Sequence, residues 1–369
     1  MRKTGICILA LSVAMGTGAC GMMGNLQNTA QTETNAGDYL IDEVGDMMEG
    51  VQSETELDLV VPDEHPGEGM TESADDLLQQ APAETEKTEG ADALPVSPAE
   101  TETEMSYGPL ERPLKELISP REAAGENWAV AYEDLETGES YGYREDETLQ
   151  SASVVKLFIM GAVYRYMCYP PEGEEVIPFG EEYSGQLRDT IVSMITVSDN
   201  NCANLLIDRL GEGDFAKGTQ RIKDFCEENG YVGTSIGRRF MESNPSGDNY
   251  TTAADTRKFL SDLYHGKLVN EEASGKMLDI VRGQTRKNKI PAGLPAGFTS
   301  GNKTGEMPEG YGLGCIENDS AIVFAPEGMG EGYVLTVMST NLGGRNSEAI
   351  STIVQISSMV AQWYTEQHS

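Results

Sequence analysis

The order of the predicted elements points to an α+β fold: two strands, a block of helices, three strands and a closing helix. Charge shows where that fold lies. The 369-residue chain has a net charge of -35, yet residues 31–110 alone hold 22 acids against one base, Lys87. Apolar periodicity begins only after that tract. The expected architecture over residues 109–369 is an antiparallel five-stranded sheet flanked by the terminal helices. An all-helical subdomain is inserted between strands two and three.

Residues 1–20 read as an export signal. Arg2 and Lys3 precede an apolar run from Ile6 to Met15 that is too short to span a bilayer. It ends Gly16-Thr17-Gly18-Ala19-Cys20-Gly21, a small-residue stretch that resembles a lipoprotein cleavage site, with Cys20 as the lipidated residue. Thr17 stands where such a site usually has a bulky aliphatic residue, so ordinary cleavage nearby is the alternative. Residues 21–108 are rich in Glu, Asp, Thr, Pro, Ala and Gly and show no apolar period. Such a segment buries too little surface to offset its ordering entropy, and it is expected to be an acidic disordered tether.

Pro113 to Ala124 carries Leu114, Leu117 and Ile118 on one helical face. Trp128 to Leu135 alternates as a strand, Glu136-Thr137-Gly138 turns the chain, and Glu139 to Arg144 returns as a second strand. A helix from Ser153 to about Cys168 is stopped by Pro170-Pro171 and Gly173. Helices follow near 184–196, 201–210, 214–229, 251–265 and 271–284. Strands are expected near 299–306, 312–325 and 332–341, and Ala349 to Tyr364 forms the last helix.

Composition excludes several functions. A surplus of acids disfavours nucleic acid and anionic lipid, both polyanions. With only His65, His265 and His368, the chain offers no histidine-rich metal site, and His265 is the sole candidate for a triad base. No cofactor or metal is implied. A serine enzyme built from this chain would use lysine as its base. Ser153-x-x-Lys156, at the start of an apolar helical run, has the spacing that puts both side chains on one face.

Two further motifs occur in order, Ser198-Asp199-Asn200 between two helices and Lys303-Thr304-Gly305 on the third strand. With Ser153-x-x-Lys156 they make the set found in class A β-lactamases and penicillin-binding proteins. The likeness extends to Val130–Tyr143, to Ile195–Asn201, to Tyr250-Thr251-Thr252 and to Asn302–Glu306, and covers roughly residues 109–369. The domain therefore resembles the class A β-lactamase-like serine hydrolases.

The resemblance implies roles residue by residue. Ser153 attacks the carbonyl of a β-lactam or a D-alanyl peptide and becomes acylated. Lys156 is the base, or the cation that eases deprotonation. Ser198 passes a proton to the leaving nitrogen, and Asn200 bonds the substrate's side-chain amide. Lys303 and Thr304 hold the substrate carboxylate. The backbone N–H groups of Ser153 and Glu306 form the oxyanion hole.

The second half of the reaction is where the chain departs from the family. Class A β-lactamases deacylate with a loop glutamate in a Glu-x-x-x-Asn pattern, which Arg238–Asp248 lacks. Glu242 is the one glutamate of that loop, either the deacylating base or a solvated side chain. The leading expectation is an exported, surface-tethered enzyme, monomeric, that opens β-lactams through an acyl-enzyme on Ser153. The alternatives are a D-alanyl peptide-recognising penicillin-binding enzyme with slow deacylation, and a catalytically silent binding module. Any membrane contact would run through the lipid anchor. Cys168, Cys202, Cys226 and Cys315 remain after export, and disulfide pairing among them is open.

Overall fold

The structure, a computed structural model, describes residues 108–178, 185–242, 247–308 and 315–369. The expectations for the leader, Cys20 and the tether fall outside these residues.

Strands β1 (Asn127–Asp134), β2 (Ser140–Tyr143), β6 (Thr299–Met307), β7 (Ile316–Phe324) and β8 (Tyr333–Thr340) form one antiparallel sheet in the order β2-β1-β8-β7-β6. The α+β class and the five-stranded sheet are thus as expected. Alternation along β1 sorts its two faces. Trp128, Val130 and Tyr132 enter the core shared with α1 (Glu111–Ala123) and the terminal α8 (Asn346–Gln367), beside Leu114, Ile118, Ile353 and Val360. Ala129 and Ala131 face the other way, against Met338 and against Ala253 of α6 (Ala253–Tyr264). Small side chains there let that helix lie close to the sheet.

The inserted subdomain is organised around α2 (Lys156–Val163), every residue of which is buried. A helix apolar on all sides belongs in a core, so Lys156 is carried into one by its neighbours. Gly161 lets two aromatic rings meet this helix, because a Cβ there would lie 2.4 Å from Phe225 and 3.0 Å from Phe259. Around it stand α3 (Gly185–Thr196), α4 (Asn200–Leu210), α5 (Phe215–Asn229) and α7 (Glu271–Arg282). Each of the last three starts on an Asx cap: Asp199 accepts from Cys202 N, Asp214 from Ala216 N, and Asn270 from Ala273 N.

Two details differ from the sequence expectation. The segment from Ser153 to Cys168 is not one α-helix. Ser153 lies in a 3₁₀ turn, Ala152–Val155, and the helix closes in a π-turn, Tyr164–Cys168. Ala152 at φ 44° bends the chain sharply as it leaves β3 (Leu149–Gln150), and α geometry settles only after the turn. A second, small sheet pairs β3 with β5 (Asn249–Thr251), which in turn pairs with β4 (Ser235–Ile236). Strands of two and three residues are too short to show alternation. The four remaining thiols are free.

Candidate active site

Three elements deliver the motif residues to one place. The 3₁₀ turn carries Ser153, the corner between α3 and α4 carries Ser198, and β6 carries Lys303. Since β6 is the outer strand of the sheet, its free edge can lie along the turn. The approach is close: a Cβ on Gly305 would lie 2.7 Å from Ser151 O and 3.1 Å from Ser153 N. The motif ends in glycine for that reason.

Ser198 is the hub. Lys156 Nζ donates to Ser198 O at 2.6 Å, to Asn200 Oδ1 at 2.8 Å and to Ser198 Oγ at 3.3 Å. Lys303 Nζ donates to the same Ser198 Oγ at 2.9 Å and to Thr304 O at 2.8 Å. A hydroxyl has two acceptor sites and one proton. With both sites filled by ammonium groups, its own proton is left to point elsewhere.

Burial lowers the proton affinity of both lysines. Lys156 is pushed down to about 7, chiefly by loss of solvent, with Arg286 adding to the effect while Asp199 and Glu306 oppose it. Lys303 is held well below the usual lysine range by burial first and by the charge of Lys156 second. A lysine near pH 7 can accept a proton. The backbone is strained at two corners of this site, with Ala152 at φ 44° and Ser198 at φ 66°, outside the range that L side chains prefer.

Ser153 is half-buried. Lys156, one turn on, is directed toward Ser198 and Asn200. Asn200 accepts from Lys156, and Thr304 follows Lys303 on β6 with its carbonyl accepting from Lys303 Nζ. His265 ends α6 with its ring edge-on to Tyr264, and His368 pairs with Asp134 at 2.7 Å. Neither takes part in this network.

Glu242 is exposed, and its backbone carbonyl accepts from Arg238 at 3.1 Å. The loop residue that reaches Lys156 is Phe240, whose ring centroid lies 4.7 Å from Lys156 Nζ. Phe240 is 6% exposed and is fixed by its main chain: its N–H donates to Asn204 Oδ1 at 2.9 Å and its carbonyl accepts from Asn204 Nδ2 at 3.1 Å. Arg239 grips Asp208 at 2.5 and 2.9 Å, and Arg238 grips Asp248 at 2.6 Å. The sequence reading missed Phe240. A large ring in an otherwise polar loop was the available signal. It also missed Arg286, whose approach to β6 is purely tertiary.

An antiparallel sheet with helices packed on it, a helical insert, and Ser153, Lys156, Ser198 and Lys303 at their junction define the serine β-lactamase fold class. The model of the β-lactamase enzyme family matches residues 109–168 and 173–364, and the chain belongs to that family.

Solved structures agree on the fold. A mutant of PBP-A, an acyl-enzyme complex with penicillin G, is 24% identical, with a TM-score of 0.56 over 70% of this chain and 96% of that one. A mutant of the last common ancestor of Gram-negative bacteria β-lactamase class A is 25% identical, with a TM-score of 0.56 over 69% and 99%. A β-lactamase from Desulfarculus baarsii is 23% identical, with a TM-score of 0.54 over 68% and 97%. No curated protein matches.

Proposed function

We propose that this chain is an exported serine acyl-enzyme former that reacts with β-lactams and D-alanyl peptides and releases the acyl group slowly. The observation that carries this reading is the Phe240 ring over Lys156. Deacylation needs a base to activate water, and here an aromatic face covers the lysine from the loop where class A β-lactamases hold their glutamate. Of the two enzymatic readings, the penicillin-binding one is the better supported. A mutant of PBP-A, which shares the fold, has been solved as an acyl-enzyme complex with penicillin G.

In this reading Ser153 Oγ attacks the carbonyl carbon while neutral Lys156 takes its proton. The oxyanion is met by the N–H groups of Ser153 and Glu306. Collapse breaks the C–N bond, the Ser198 hydroxyl gives its proton to the leaving nitrogen, and Lys156, now an ammonium carrying the proton from Ser153, returns one to Ser198 Oγ, 3.3 Å away. Lys303 and Thr304 hold the carboxylate, and Asn200 the side-chain amide. Export and a lipid anchor on Cys20 belong to the same proposal and would place the domain where cell-wall peptide is found. Among the described residues no helix is long and apolar enough to cross a membrane.

The test mixes the purified full chain with a chromogenic cephalosporin and follows product and protein mass together. One equivalent of product with a lasting adduct on Ser153 is the expected result. Sustained turnover would favour the β-lactamase reading and return Glu242 as base. No adduct, with Ser153→Ala indistinguishable from wild type, would leave only the silent binding module. Release of the protein into the medium by Cys20→Ala checks the anchor.

A further inference from the structure

Glu306 follows Lys303-Thr304-Gly305 directly, and its side chain sits on cations rather than in solvent. Oε2 accepts from Arg286 Nη1 at 2.5 Å and Oε1 accepts from Lys289 Nζ at 3.0 Å. These two cations differ. Lys289 is fully buried and has its own counter-charge, Glu317 Oε2 at 2.7 Å, with the Asn318 carbonyl at 3.0 Å. Arg286 is half-exposed, and Glu306 is its ion-pair partner among the described residues.

The pair is at the motif strand, Glu306 next in line after Gly305 on β6, and within electrostatic reach of Lys156 and Lys303. Thr304 stands beside it. Its buried hydroxyl has no hydrogen-bond partner among the described residues and favours the ionised Glu306 carboxylate. A carboxylate of the protein therefore already engages the half-exposed Arg286 guanidinium next to the Lys303-Thr304-Gly305 motif.

We propose that Glu306 is a specificity residue, an internal competitor in the anion subsite that sets the substrate charge the site accepts. An acyl donor with a carboxylate at that end must displace Glu306 from Arg286 and meets like-charge repulsion as it arrives. A donor with an amide or ester there does neither. The site is thereby biased away from anionic donors and toward those uncharged at that end. This rests on the reading of Lys303 and Thr304 as the anion clamp.

Glu306→Gln separates charge from structure, because its amide oxygen can still accept from Lys289 while the charge facing Arg286 is lost. Two ligand pairs are compared in the full chain. The first is benzylpenicillin and its methyl ester, followed by the rate of adduct formation on Ser153. The second, on a Ser153→Ala background, is N-acetyl-D-alanine and its amide, followed by calorimetric binding without any acylation. Glu306→Gln should raise the carboxylate-to-neutral ratio of each pair about ten-fold, whatever it does to the two members together. Arg286→Gln should weaken the carboxylate member by a similar factor, which guards against a folding defect in the first variant.

Equal changes within a pair, or a loss for the carboxylate member in Glu306→Gln, would overturn the proposal. A binding pair that splits as expected, while the chain with Ser153 intact forms no adduct with either penicillin, would instead refute the enzymatic reading and leave this one standing. Acylation without a split would do the reverse.

Discussion

Phe240 and Lys156 face one another, ring centroid to ammonium nitrogen, at 4.7 Å. The contact joins two things: an aromatic face attracts a cation, and a bulky ring keeps water from it. Exclusion dominates here, because burial is the largest influence on Lys156 and brings it down to about 7.

Acylation should therefore follow the neutral form of Lys156. Its rate should be half-maximal near pH 7, fall about ten-fold per pH unit below that, and level off above. Adduct formation measured by mass from pH 5 to 9 checks this. The sign for stability is opposite in sense to a salt bridge. The fold disfavours the charged lysine, so its penalty is complete below pH 7 and is relieved as pH rises toward the ordinary 10.5.

Phe240→Ala should admit water to Lys156 and move that half-maximal point upward. It should also lower stability, by roughly 3 kcal/mol for loss of a buried ring. A pH profile of acylation alongside a denaturant titration separates the two effects. A profile that stays in place would show that the ring does not control the lysine.

Ser198→Ala should be severe. It removes the one oxygen shared by Lys156 at 3.3 Å and Lys303 at 2.9 Å, and with it the proton donor for the leaving nitrogen. A loss of about 10²–10⁴-fold in acylation rate is expected, the range for a positioned acid–base group. Single-turnover kinetics with the chromogenic cephalosporin measure it.

Gly305→Ala should push β6 away from the 3₁₀ turn, since the added methyl would meet Ser151 O at 2.7 Å. Overpacking of this kind costs about 1–3 kcal/mol. Acylation should fall further than that loss of stability explains, because Ser153 N lies 3.1 Å from the same point. Melting temperature and adduct rate, measured on the same sample, distinguish the two losses.

The sequence exposed the parts of this site that are local. Ser153 and Lys156, or Ser198 and Asn200, stand close enough in the chain for spacing to carry meaning. Lys303 was readable because a strand pattern surrounded it. Alternation in Trp128–Tyr132 likewise marked β1 and its two faces. What stayed hidden depends on distant packing. Phe240 meets Lys156 only because Asn204, Arg238 and Arg239 pin its loop from three sides. Arg286 reaches Glu306 only once α7 has packed near β6. Glu306 was read for its backbone N–H, and nothing local to it announced two cations on its side chain. The 3₁₀ turn at Ser153 followed from a left-handed Ala152, a conformation that alanine gives no warning of.

Two ammonium groups on one oxygen have a last consequence. The charge of Lys156 lowers the proton affinity of Lys303, so Lys303 does not titrate alone. A titration of this protein would read steps that belong to the couple, not to either residue. Replacing Lys156 would then leave Lys303 more basic, and a single-site variant would report on its neighbour.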